Sequence, residues 1–185
     1  SVAIKFVYDN NEDIYRRRLI SGGGIDVYLQ NDGRFMSSFG YVNEEGTVAY
    51  KSLSLDSNFL EDNKIYDIVF VYNNGIMQLY VNGELIKEVS TGPYSVLVSD
   101  CNYLIGTTCS VDGSRNIHSY DKNIYFVSVS STAFTEEEIE YYYKNEELSN
   151  KEDLLFEYKF FDAYAEDMTD IAEDDIESYF VWIPK

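Results

Sequence analysis

Cysteine, histidine and basic side chains are scarce in this sequence, and each shortage removes a class of function. There are two cysteines and one histidine in 185 residues, and 14 basic side chains stand against 33 acidic ones. Cys101 and Cys109 flank a strand-like stretch, Asn102 to Gly106. Eight extended residues would hold them roughly 26 Å apart, whereas a disulfide needs Cα atoms about 6 Å apart. Free thiols are therefore expected, which argues against a disulfide-stapled extracellular module. No Asn-x-Ser/Thr sequon occurs, so N-glycosylation is not implied. With His118 alone, a hydrolase triad has nothing distinctive to build on, and His118 reads as a loop residue. A net charge of −19 repels phosphate backbones. The one basic run, Arg16-Arg17-Arg18, cannot offset that field, so no nucleic-acid partner is expected. That run reads as a solvated loop, with a rim contact for acidic glycans as its functional alternative. No apolar run approaches the ~20 residues of a membrane-spanning helix, so no membrane insertion is expected. No signal peptide is visible. The chain opens on Ser1 rather than Met, so it reads as processed or excised from something longer.

What is abundant points to strands. Tyr and Phe number 18 and 11, and apolar residues make up 45% of the chain. Such residues suit a pleated, half-buried surface, and the length fits one domain with a substantial core. Turn signals recur about every ten residues between short alternating runs, the rhythm of a sandwich or barrel. Ile25 to Gln30 alternates, with Ile25, Val27 and Leu29 inward and Asp26, Tyr28 and Gln30 outward. Ile65 to Tyr72 is a nearly continuous apolar strand closed by Asn73-Asn74-Gly75. Ile76 to Val81 places Met77, Leu79 and Val81 on one face and Tyr80 on the other. Asn82-Gly83 then turns the chain into Glu84 to Val89, a strong hairpin signal. Ile124 to Ser130 is a further strand, and so is Leu154 to Phe161.

One short helix is predicted near 135–146. Thr135 and Glu138 form a capping box, and Phe134 with Ile139 a hydrophobic staple. Glu136 and Glu137 suit the positive end of the helix dipole. Ile139, Tyr142 and Tyr143 fall on one face.

Two stretches resemble the laminin G-like branch of the concanavalin A-like superfamily. Tyr66 to Glu84, YDIVFVYNNGIMQLYVNGE, is similar to that family's apolar strand, glycine turn and "LYVNG" hairpin. Tyr120 to Tyr142, YDKNIYFVSVSSTAFTEEEIEYY, resembles its late strand running into an "ALTEEEI" helix. Tyr103-Leu-Ile-Gly106 matches the strand between them. The likeness covers roughly Val2 to Tyr143. It departs where the family has glycine before the late strand and this chain has Asp121-Lys122-Asn123. The resemblance implies an all-β, two-sheet antiparallel jelly-roll sandwich.

It also bears on the tail. Leu154 to Asp162 resembles the family's first strand, Asp167-Met-Thr-Asp170 the turn after it, and Tyr179 to Pro184 its second strand. Residues 154–183 are therefore expected to supply the family's opening strands within one domain, 1–185, a circularly permuted sandwich. The alternative is that the tail opens a following domain or serves a neighbouring subunit.

Fold does not fix function, so the site must come from chemistry. Glycosidases of this fold carry paired carboxylates on one strand. Here Glu136, Glu137, Glu138 and Glu140 fall in the helix, and Glu157 stands alone in its strand. Catalysis is not expected. Asp9, Asn11 and Asp13, with Asp100 and Asp112, offer oxygens for Ca²⁺, as the family's rim sites do. Such residues also gather in turns for backbone reasons. Tyr28, Tyr80 and Tyr125 point away from core positions on three strands, and on one sheet would make an aromatic platform for sugars. The expected role is a non-catalytic glycan- or surface-binding module of a larger extracellular or virion-surface protein. Its partners would be a glycan or protein on a surface. The alternative is a structural fibre, capsid-decoration or assembly domain that contacts neighbouring subunits.

Overall fold

The computed structural model describes residues 1–10, 16–97, 103–107, 120 and 122–160. Eleven strands and one helix follow in order: β1 (Val2–Val7), β2 (Arg16–Gly22), β3 (Ile25–Gln30), β4 (Phe35–Val42), β5 (Val48–Ser54), β6 (Ile65–Asn73), β7 (Ile76–Val81), β8 (Glu84–Ser90), β9 (Leu104–Ile105), β10 (Ile124–Ser130), α1 (Glu136–Asn145) and β11 (Leu154–Lys159). They form a six-stranded sheet, β11-β10-β1-β6-β7-β8, and a five-stranded sheet, β5-β4-β3-β2-β9. All the strand pairings are antiparallel. The expected sandwich is observed.

Asparagine–glycine pairs set the hairpins. Asn74 and Gly75 between β6 and β7, and Asn82 and Gly83 between β7 and β8, all have positive φ. Two successive left-handed residues make the type I′ turn, whose twist matches that of paired strands.

Alternation then decides what is buried. Ile4 and Phe6 of β1, Ile68 and Phe70 of β6, Met77 and Leu79 of β7, and Val127 and Val129 of β10 face inward. They meet Leu19, Val27, Leu29, Phe35, Phe39 and Leu53 of the other sheet in one core. Each such side chain contributes about 1.5–3 kcal/mol on burial.

The six-stranded sheet is also covered on its outer face. Ala3, Val69, Val71, Tyr80 and Phe126 pack there against Phe134, Ile139, Tyr142 and Leu148 of the α1 region. The helix begins as expected: Thr135 Oγ1 accepts from the Glu138 N–H, and Glu138 Oε2 accepts from the Thr135 N–H. It ends on Glu146 in the left-handed conformation, whose N–H donates to Tyr142 O. Tyr143 departs from expectation. It is largely exposed rather than part of the buried face, with its ring resting on Gly83, where a Cβ would come within 2.9 Å of it. Replacing Thr135 with alanine removes the cap and is expected to lower stability by about 1 kcal/mol, read from urea denaturation. An unchanged midpoint would show that α1 adds nothing to the domain.

The expectations for Cys101, Cys109, His118 and residues 161–183 lie outside the described residues. No helix among the described residues is long and apolar enough to cross a membrane.

Candidate functional site at the edge of the five-stranded sheet

The three tyrosines proposed as a platform do not share a face. Tyr28 lies on β3 of the five-stranded sheet, while Tyr80 on β7 and Tyr125 on β10 belong to the other. Tyr80 points outward as its alternation requires, yet it is only 4% exposed, because α1 lies over it. Tyr28 also points away from the core and is 6% exposed. The guanidinium groups of Arg16 and Arg18 sit over its ring, 5.0 and 5.4 Å from the centroid. Tyr125 is half-buried, its hydroxyl accepting from Asn123 Nδ2 at 3.4 Å. For Tyr28 and Tyr80 periodicity told inside from outside correctly, but an outward residue is open only if nothing packs above it; at Tyr125 the alternation is interrupted by an irregularity in the β1–β10 register.

The basic run is not a solvated loop either. Arg16, Arg17 and Arg18 open β2, and Arg17 is fully buried. Its guanidinium donates to the backbone carbonyls of Asp9 and Gln30 and lies 3.2 Å from the Asp9 carboxylate. The charge is tolerated inside because a carboxylate and two carbonyls meet it there. Arg18 Nε donates to Asp26 Oδ1. Asp9, expected as a metal ligand, is thus engaged by Arg17. Asn11, Asp13, Asp100 and Asp112 fall outside the described residues. Among the described residues no group of three or more His, Cys, Asp or Glu could hold a metal ion.

What the outer face of the five-stranded sheet does present is Tyr50. Its strand, β5, forms one edge of the sheet, and Tyr50 pairs with Gly40 of β4. Because Gly40 has no side chain, the Tyr50 ring settles over it; a Cβ on Gly40 would lie 3.3 Å from Tyr50 Cε1. This arrangement supports one side of the ring and leaves Tyr50 64% exposed. Val42 and Val48, paired with each other, are exposed beside it. On its other side runs a polar row across three strands. Ser52 pairs with Ser38, and Ser38 pairs with Asp26, to whose carbonyl Ser38 Oγ donates at 3.2 Å. An exposed ring with fixed polar groups beside it is the arrangement that small-ligand sites use for affinity and orientation. Sequence reasoning passed over Tyr50 because it assigned no strand to residues 48–54. The alternation was available: Val48, Tyr50 and Ser52 on one side, Ala49 and Leu53 on the other.

Comparison with known proteins agrees with this fold. A structure described as that of a "putative carbohydrate binding protein" from Bacteroides ovatus superposes with a TM-score of 0.60 at 19% identity, over 85% of this chain and 44% of its own. The CBM40 module of the Ruminococcus gnavus IT-sialidase, solved with α2,3-sialyllactose, gives 0.55 at 15% identity, over 76% of this chain and 79% of its own. The ligand-binding domain of botulinum neurotoxin serotype D, solved with N-acetylneuraminic acid, gives 0.53 at 20% identity, over 77% of this chain and 35% of its own. The chain therefore spans less than half the length of two of these three structures. No curated protein matches it. A family model described as the concanavalin A-like lectin/glucanases superfamily matches residues 4–140. That match runs from within β1 to within α1 and takes in strands of both sheets, β11 excepted, and the chain belongs to the concanavalin A-like lectin/glucanase superfamily.

Proposed function

We propose that this domain is a non-catalytic glycan-binding module, working at a cell or virion surface as part of a larger protein, with Tyr50 as its stacking surface. The observation that carries this reading is the Tyr50 ring laid over Gly40, open to solvent on its other side. Similar folds solved with sialylated sugars support the ligand class. The immediate surroundings of Tyr50, namely Val42, Val48 and Ser52, are uncharged. Arg18, on the same face, is already paired with Asp26. With a net charge of −19 behind it, the face favours neutral saccharides over anionic ones. Tyr50→Ala should weaken retention on a neutral-glycan array by roughly tenfold, about 1.4 kcal/mol. Its thermal midpoint should stay at the wild-type value, because the ring is mostly in water. Equal retention by the variant would remove Tyr50 from the site.

A second reading, a structural assembly domain, is favoured by β8. This edge strand exposes Leu85, Ile86 and Val89 beside the exposed Ile76. A monomer at high concentration in light scattering would count against it.

A further inference from the structure

The core does not close at one end of the sandwich. Where β1 begins and β6 and β10 finish, an open cavity of about 960 Å³ enters between the two sheets. Its floor is apolar: Phe70 and Val129 of the six-stranded sheet face Ile25 and Phe39 of the other. Its mouth is polar, formed by Asn73 and Asn74 at the β6–β7 turn and by Ser130, Ser131 and Thr132 where β10 ends. Close-packed interiors hold few voids larger than a water molecule, whereas small-molecule sites measure about 300–1,000 Å³.

The walls are held from behind, so the cavity is formed before anything enters it. The Tyr72 ring lies 4.2 Å from that of Phe39, and the Tyr72 hydroxyl accepts from the Tyr94 N–H and donates to the Tyr94 carbonyl, each at 2.7 Å. Ser131 Oγ donates to the Asp153 carbonyl at 3.1 Å, and Thr132 Oγ1 to its carboxylate at 3.3 Å. Tyr103 packs its ring on Phe156 at 5.1 Å, and its hydroxyl takes the place that a side chain on Gly23 would fill. Among the described residues nothing hydrogen-bonds to that hydroxyl, or to the side-chain amides of Asn73 and Asn74.

We propose that this end of the sandwich binds a neutral amphiphile, a small molecule whose apolar ring or chain sits on Phe39, Phe70 and Val129 and whose hydroxyl or amide head meets Tyr103, Asn73 and Asn74. Charge selects the class. Among the described residues lining the cavity none is Asp, Glu, Lys or Arg, although these make up 25% of the chain. A charged ligand would lose its hydration there without gaining a counter-ion, and the net charge of −19 opposes anions further. The floor excludes a saccharide, because hydroxyls buried against it would go unpaired. This site is separate from Tyr50, which stands on the outer face of the five-stranded sheet, so either can fail without the other.

Two dyes of one skeleton test it on the full chain: neutral N-phenyl-1-naphthylamine, and 8-anilinonaphthalene-1-sulfonate, which adds a single negative charge. The neutral dye should bind one per chain, with enhanced, blue-shifted emission on direct excitation, and the sulfonate at least tenfold more weakly. Leu155 lines the cavity yet is 56% exposed. Leu155→Trp should therefore narrow the cavity and weaken the neutral dye at least fivefold while the thermal midpoint holds. Tyr103→Phe should weaken it several-fold, again without loss of fold, since its hydroxyl has no partner among the described residues. Ile65→Ser, which removes an exposed apolar side chain at the far end of β6, should leave the affinity unchanged. Absence of saturable binding by the neutral dye would overturn the proposal, as would equal affinity for the sulfonate. Binding that neither Leu155→Trp nor Tyr103→Phe alters would overturn it too.

Discussion

Arg17→Ala is expected to destabilise the domain by about 3–5 kcal/mol, the usual consequence of removing one partner from a buried ion pair. Arg17 is 0% exposed, and its guanidinium holds three things together: the Asp9 carbonyl, the Asp9 carboxylate and the Gln30 carbonyl. Truncation removes the main donor to the Asp9 carbonyl and carboxylate, leaves the Gln30 carbonyl with the Gly33 N–H, and opens a hole beside Tyr8, whose hydroxyl donates to the Gly33 carbonyl nearby in the same corner. Among the described residues, Asp9 has one further cation within reach, Lys122, at 4.0 Å, too distant to replace a direct contact. For a chain of this size the loss corresponds to a fall of roughly 10 °C in thermal midpoint. The check is urea denaturation with the slope unchanged and the midpoint moved. A loss below about 1 kcal/mol, the worth of a surface pair, would mean that Arg17 is solvated after all.

Tyr142→Phe should cost about 2 kcal/mol, because the lost hydrogen bond serves a charged acceptor in a buried place. The Tyr142 hydroxyl donates to Asp67 Oδ1 at 2.9 Å, joining α1 to β6 beneath the helix. Lys5 Nζ lies 3.7 Å from the other carboxylate oxygen and also pairs with Glu146. Burial holds the Asp67 carboxyl above the ordinary Asp range, although the Tyr142 hydroxyl and Lys5 pull it back. Burial and the neighbouring carboxylate push the Tyr142 phenol far above its usual value, so it stays protonated and remains a donor. The pH dependence follows from these directions. A carboxyl with a raised native pKa contributes stability that is fully present below its unfolded value and is lost as pH rises through the native one. Wild type should therefore gain on Asp67→Asn as pH falls from neutrality through the raised native pKa towards about 3.9, the unfolded value. A stability difference between the two that stays flat over that window would show that Asp67 is not held in its buried, uncomfortable state.

Strands with strong alternation were legible down to their ends. Ile25–Gln30, Ile76–Val81 and Ile124–Ser130 carry apolar residues at every second position, and the asparagine–glycine turns fixed where two of their neighbours begin. The helix was legible from its cap. The candidate site was not, and the reasons differ by residue. Alternation places Tyr28 and Tyr80 outward but says nothing about Arg16 and Arg18, or α1, lying on top of them. Composition made Arg16 to Arg18 look like a loop, since three successive charges seldom enter a strand. The Asp9 carboxylate that admits Arg17 lies eight residues away, across a connection that periodicity does not read. Tyr50 was hidden by its strand. An edge strand bearing Lys51, Ser52 and Ser54 reads as a polar segment, although such residues are what an exposed edge requires.

The place of β1 has a consequence for how the chain reaches this state. The strand of this domain that is synthesised before its other described strands is not at an edge: β1 is clasped between β6 and β10, with Val2 opposite both Phe70 and Val129. The Val129 partner is 127 residues downstream, and at the usual 5–20 residues per second it arrives roughly 6–25 s after Val2. During that interval β2 to β5 can pair hairpin by hairpin, while Ile4 and Phe6 of β1 have no finished sheet to enter. Long-range pairing of this kind places the domain among the slow folders. Within this domain β1 is the strand that waits longest for a partner, half-open until β10 has been synthesised.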